Sequence, residues 1–342
     1  ADPDLQAAHA RAPFIAVWDD HEVTNDTWRD GAQNHQPQTE GDYAARKAAA
    51  LKAYYEWMPV REPTAGQGLA QATMRSFRFG RIVDLHMLES RLTARDESLD
   101  FEDHFTGDVE AFRALLNDPS RRLLGEGQLE WLSRALSDGR AKDVAWPVLG
   151  NQVVMARVKG PNVVAALGQE RIDALLPTLP GYLQGRLRRM ATLFQYDLPL
   201  NLDAWDGYPA ERERLYATLA EAGVTPVVIS GDSHSFWVND LADAAGARRA
   251  LEVGATAVTS PSPSYNVVYS GTTDMIREQN AEVVHLDNQS KGFALMTFDR
   301  ERVTADLIAV STIESREFEA RSTGRWQARK GQGGAVGGWE RV

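Results

Sequence analysis

The stretch Thr225-Pro226-Val227-Val228-Ile229-Ser230-Gly231-Asp232-Ser233-His234-Ser235 decides the fold class. Thr225 to Ser230 reads as a buried strand, because a short run of β-branched residues suits a strand and is too brief for a helix. Gly231 lets the chain turn sharply and approach a ligand closely. Asp232 and His234 are two apart, so in extended backbone they point to the same side. Just upstream, Glu211 to Ala222 reads as a helix with Gly223 at its C-terminal cap. Helices alternating with short apolar strands describe a layered α/β protein, in which ligands bind beyond the carboxyl ends of strands. Taken alone, Gly231 to His234 reads at least as well as a Gly-Asp turn with a surface histidine.

A second cluster lies far upstream. Pro13 to Trp18 reads as a short buried strand running into Asp19-Asp20-His21-Glu22. Two carboxylates and an imidazole leaving one strand end suit a hard cation, which prefers oxygen ligands with some imidazole. The plainer alternative is a turn in which Asp19 or Asp20 caps the next helix. Two such clusters, each after a buried strand, favour chemistry. A pair of metals bridged by carboxylates binds a phosphate ester, polarises it and generates hydroxide at neutral pH. His21 is the candidate for stabilising the transferring phosphoryl group or protonating the leaving oxygen. Its alternative is a hydrogen bond within the turn.

Other elements follow from periodicity. Ala44, Ala48, Leu51, Tyr55 and Met58 recur at helical spacing over Asp42 to Met58, and Pro59 ends that helix. Met74 to Leu85 carries two apolar segments split by Gly80, a hairpin or two adjacent strands. Gln128 to Leu136 reads as a helix, and Trp146 to Met155 as a strand interrupted near Gly150-Asn151. Further strands are expected over Glu252 to Val258, Val283 to Leu286 and Gly292 to Phe298. The stretch 160–206, rich in Pro and Gly, reads as an insertion or lid, and 321–342 as a loosely held tail. Residues 1–342 are expected to form a single domain.

Bulk composition narrows the function classes. The 342 residues are 43% hydrophobic with a net charge of −11, which fits a large core and argues against a polyanion-binding module. The basic cluster Arg186 to Arg189 sits in a leucine-containing segment and reads as a solvated helix face. There is no cysteine, so disulfides and thiolate zinc sites are excluded for this segment. The longest apolar runs are too short to span a membrane.

The two clusters together resemble the PhoD-like branch of the metallophosphoesterases, which carries Trp-Asp-Asp-His-Glu-Val followed by Gly-Asp-x-His-Ser. Here these are Trp18-Asp19-Asp20-His21-Glu22-Val23 and Gly231-Asp232-Ser233-His234-Ser235. Gly31-Ala32-Gln33-Asn34-His35, Gly150-Asn151-Gln152-Val153 and Asp203-Ala204-Trp205-Asp206-Gly207-Tyr208-Pro209 are also similar, so the resemblance runs to about Phe298. It implies a four-layer α/β/β/α sandwich and a di- or trinuclear centre of iron and calcium. It also implies a small phosphate mono- or diester as substrate and a periplasmic or secreted location. By the same match, Asp20 takes the place of a ligand asparagine and His21 that of the phosphate-contacting histidine, while Asp232 and His234 correspond to paired metal ligands. The family places two further metal motifs upstream, including Gly-Asp-x-x-Tyr. The seventeen residues before Trp18 contain neither, so N-terminal strands and half of the metal site are expected to be missing.

Several residues admit two roles. Asn34 and His35 face the phosphate or belong to a polar surface loop. Asn151 and Gln152 bind ligand or satisfy a strand end. Arg91 contacts phosphate or pairs with Glu89 or Asp96. Asp206 lines the substrate mouth or caps the following helix. The leading function is a metal-dependent phosphoesterase of alkaline phosphatase or phosphodiesterase type. The alternative is a catalytically incomplete fragment or binding module. A metal-free hydrolase using Ser233 or Ser235 lacks the Gly-x-Ser-x-Gly elbow.

Overall fold

The computed structural model describes residues 2–342 apart from 65, 67, 263–270 and 332–333. Eleven strands form two sheets among these residues. The first contains β1 (Arg75–Phe79), β2 (Val83–Met87), β3 (Trp146–Gly150), β4 (Val227–Ser230), β5 (Phe236–Ala242), β6 (Arg248–Gly254) and β7 (Val283–Asp287). Its order is β1-β2-β3-β4-β6-β5-β7. Strands β2, β3, β4 and β6 run parallel, and β1, β5 and β7 pair antiparallel at the flanks. The second sheet is antiparallel, with β8 (Lys291–Phe298), β9 (Arg302–Val310), β10 (Ala320–Arg329) and β11 (Glu340–Arg341) in the order β11-β10-β9-β8.

Burial explains the stacking. One face of the first sheet packs on the helices Glu126–Ala141 and Pro209–Ala222 through Leu132, Leu136, Leu149, Leu215, Leu219 and Val228. The other face meets the second sheet through Trp146, Val148, Val227, Val238 and Leu251 against Val303, Ala305, Leu307 and Trp326. Helix, sheet and sheet therefore stack as an α/β sandwich. Phe293 and Leu295 on β8 stand half-exposed on the far face.

Local chemistry sets the element ends. The helix Tyr43–Trp57 starts where the Asp42 carboxylate accepts from the Ala45 N–H at 3.1 Å, and stops at Met58 before Pro59. The helix Pro209–Ala222 ends on Gly223, whose φ of 63° is the left-handed cap expected of glycine. The β1–β2 hairpin is as read.

Four expectations need correction. Pro13 to Trp18 joins no strand ladder. It is held instead by the Arg75 guanidinium on the Ala16 carbonyl, and only Trp18 is buried, against Tyr54 and Tyr55. An apolar run becomes a strand only where a sheet edge accepts it. The strand from Trp146 ends at Gly150, and 151–158 continues as a buried loop.

Residues 160–206 contain the helices Val163–Leu167, Gln169–Leu175 and Gly181–Leu193. The base of this excursion is closed by Gly160 N–H to Leu198 and Leu200 N–H to Val158. The segment from Arg321, expected to be loose, forms most of β10. Trp326 and Ala328 alternate inward while Arg325 and Arg329 face water, the period-two pattern of a half-buried strand that a rich charge content had masked.

Candidate metal centre

Three loops leave adjacent parallel strand ends. Met87 pairs with Gly150, and Gly150 with Ile229. The pairing runs on into the loops through Leu88 N–H to Gly150 at 2.8 Å, Asn151 N–H to Ile229 at 2.9 Å and Gly231 N–H to Gln152 at 2.8 Å. Two fully buried glutamates brace them. Glu89 accepts from Trp18 Nε1, from the N–H groups of Arg91, Leu92 and Thr93, and from the Thr93 hydroxyl, all within 3.0 Å. Glu252 on β6 accepts from Met155 N, Ala156 N, Ser230 Oγ and Asn239 Nδ2 between 2.7 and 3.1 Å. Carboxylates spent on that many donors are structural.

Backbone strain collects at the same place. Among the described residues five non-glycine residues have φ in the left-handed region, and Asp26 (49°), Asp232 (61°) and His234 (52°) are three of them. Such conformations persist where surrounding structure enforces them, often at functional sites. The extended-backbone argument for Asp232 and His234 is thereby replaced: a left-handed turn, not a pleat, orients them.

The result is a cluster of Asp19, Asp20 and Asp232, whose carboxylate oxygens lie within 4.8 Å of one another. Asp20 Oδ2 also accepts the Asp26 N–H at 2.8 Å. Behind the cluster lies the fully buried Arg91. Its Nε donates to Asp19 Oδ1 at 2.6 Å, its Nη1 donates to Asp203 Oδ2 at 2.7 Å, and its Nη2 stands 3.6 Å from Asp232 Oδ1. Arg95, also buried, pairs with Asp203 and lies over the Tyr208 ring.

Charge is unevenly distributed. Burial opposes ionisation of Asp203, but Arg91 and Arg95 hold it below the usual carboxylate range. Burial, then the neighbouring Asp19, push Asp232 well above that range, and Arg91 only partly opposes them. Asp26 is raised to about 6 by burial and then by Asp203. Five carboxylates (Asp19, Asp20, Asp26, Asp203, Asp232) thus face two guanidiniums. An excess of oxygen donors and negative charge out of water is the donor set a hard cation fits.

The PhoD-like phosphatase family matches residues 1–307. The chain belongs to that family. Alkaline phosphatase D of Bacillus subtilis (strain 168) is 28% identical over 242 residues, covering 70% of this chain and 34% of that protein. The solved structure of PhoD superposes with a TM-score of 0.72 at 22% identity, covering 100% of this chain and 57% of that one. The chain therefore spans about a third of one relative and little over half of the other. The second comparison shows that the fold is shared.

Within this PhoD-like frame, Asp20 and Asp232 meet as ligand candidates. His234, two residues after Asp232, is not part of the three-carboxylate group. Its Nδ1 is 3.1 Å from the Pro261 carbonyl, which can only accept, so Nδ1 donates there. Its backbone carbonyl is pinned by Thr256 and Lys291. His21 is exposed in the turn after Asp20.

Asn34 is exposed, with its carbonyl accepting from Thr24 Oγ1. His35 is buried against Tyr43, with Nε2 3.1 Å from the Gly41 carbonyl. Both amides at 151–152 serve the fold: Asn151 holds Val153 and Trp205, and Gln152 holds Ser90 and Leu88.

Asp206 neither lines the cluster nor caps its helix. It bonds the Val158 N–H and the Arg212 guanidinium. Arg91 pairs with Asp19 and Asp203 rather than Glu89 or Asp96, since Glu89 is occupied by five donors and Asp96 takes Arg29 and the Arg122 N–H.

Sequence reasoning missed Asp26 and Asp203 as members of the cluster. Asp19 was signalled by its adjacency to Asp20, and Asp203 by the Asp203-Ala204-Trp205-Asp206 segment. Asp26 carries no motif.

Proposed function

We propose that this chain belongs to a metal-dependent phosphoesterase that hydrolyses small phosphate mono- or diesters with metal-activated water. The observation that carries the proposal is the convergence of Asp19, Asp20 and Asp232 within 4.8 Å at the ends of parallel strands. Asp20, Asp232 and His234 would hold the metal, with Asp19 added to the set. Iron and calcium are the ions implied by the family. A bound cation would polarise the ester and lower the pKa of its water.

This chain's own groups have separate tasks. Arg91 and Arg95 keep Asp203 ionised. The buried braces at Glu89 and Glu252 hold the loops rigid. His21, exposed beside Asp20, is free to reach a phosphoryl oxygen or the leaving group. Residues 160–206 act as the lid over the substrate. A periplasmic or secreted location goes with this reading, and among the described residues no helix is long and apolar enough to cross a membrane.

The test is hydrolysis of p-nitrophenyl phosphate and bis-p-nitrophenyl phosphate by the full-length protein, with iron and calcium supplied and chelator as control. Chelator-sensitive turnover is expected. Metal uptake without turnover of either ester would leave a binding module, and no uptake at all would sink the metal reading.

A further inference from the structure

We infer that Arg91 is the positioning residue of this centre: one guanidinium sets Asp19, Asp203 and Asp232, from three separate segments, in mutual register. The inference rests on reading the carboxylate cluster as a metal site. The Arg91 side chain is 0% exposed. A planar guanidinium presents its donors in a fixed fork. Once Nε is on Asp19 at 2.6 Å and Nη1 on Asp203 at 2.7 Å, the direction of Nη2 is settled. That third nitrogen is buried, has no hydrogen-bond partner, and lies 3.6 Å from Asp232 Oδ1. An unmet buried donor aimed at a ligand carboxylate needs an explanation.

The anchoring of Arg91 supplies it. Its backbone N–H donates to Glu89 Oε1 at 3.0 Å, and the same oxygen accepts Trp18 Nε1 at 3.0 Å, from the residue preceding Asp19. Arg91 and Asp19 therefore hang from one buried carboxylate as well as bonding each other. Asp19 and Asp232 each turn one oxygen toward Arg91 and keep the other for a cation, the arrangement by which outer partners orient metal ligands, while Asp203 spends both oxygens on Arg91, Arg95 and Ser98. Lysine, a single point charge on a flexible stem, cannot hold this fork.

The experiment compares the full-length wild-type protein with Arg91→Met and Arg91→Lys by calorimetric titration with Mn²⁺ and Ca²⁺. Thermal midpoints in chelator are measured for the wild type, Arg91→Met, Asp203→Asn and the double variant. Arg91→Met should bind ions about 10–100-fold more weakly, and Arg91→Lys should recover only part of that loss. Asp203→Asn, which removes one charge orphaned by Arg91→Met, should restore part of the lost midpoint.

Unchanged affinity in a folded Arg91→Met protein overturns the proposal. Tighter binding also overturns it, since Arg91 would then be competing with the ion. If the wild type takes up neither ion, the metal reading fails. The claim that Arg91 holds the carboxylates is then decided by the midpoints, and strictly additive shifts reject it.

Discussion

The seven-stranded sheet carries an arginine–aspartate network at each end, built in opposite ways. At the amino ends of β2 and β3, Arg78 grips Asp84 with both prongs at 2.6 Å and reaches Asp138 at 3.0 Å. Arg81 and Arg300 share Asp143. Arg78, Arg81, Arg300 and Lys142 meet three anions, and apart from Asp84 the carboxylates are well exposed. At the carboxyl ends, five carboxylates, buried or partly buried, meet two buried guanidiniums, and Arg91 Nη2 and Arg95 Nε each lack a hydrogen-bond partner. Exposed pairs with a cation for every carboxylate add little beyond local order. A largely buried cluster with an excess of carboxylates is costly unless a cation joins it.

The sharpest way to break this contrast is to neutralise one carboxylate at each end. Asp232→Asn should lower phosphoesterase turnover by about 10²–10³-fold, while Asp143→Asn should leave it within about twofold, both read from steady-state kinetics on the full-length protein. Equal losses would erase the distinction.

Stability provides the next contrast. Glu252→Ala strands four donors and opens a cavity, and should cost about 3 kcal/mol in denaturant unfolding. Changing pH sharpens the picture at the carboxyl end. The Asp26 carboxyl titrates at about 6 in the fold against 3.8 normally, so on raising pH the unfolded chain releases that proton first. Its contribution is fully present below 3.8 and is lost as pH rises through about 6. In metal-free protein, Asp26→Asn should flatten the fall of thermal midpoint across that window. A midpoint profile unchanged by Asp26→Asn would count against the charge excess. The smallest effect belongs to Arg81→Ala, expected to cost less than about 1 kcal/mol by the same unfolding measurement.

Legibility followed the kind of interaction. Helices with apolar periodicity and a cap, such as Tyr43–Trp57, and strands of β-branched residues, such as β4, were readable because local chemistry decides them. Pro13 to Trp18 was misread because pairing with an edge is a tertiary fact, and β10 because its charged outer face hid two inward residues. The helices within 160–206 escaped notice because frequent Pro and Gly broke the pattern into short pieces.

In the site, Asp20 and Asp232 were legible from their motifs. The pairing of Arg91 with Asp203 was not, because a salt bridge between residues 112 positions apart leaves no spacing signal. The left-handed φ at Asp232 and His234 was equally invisible, since both residue types also suit extended backbone.

The central claim is that the carboxyl-end cluster binds a cation. The most direct measurement is the metal content of the full-length protein by elemental analysis, compared with Asp19→Asn and Asp232→Asn variants. The account predicts stoichiometric metal in the wild type and its loss in both variants with the fold retained. Wild-type protein free of metal, or variants that keep the full complement, would contradict it.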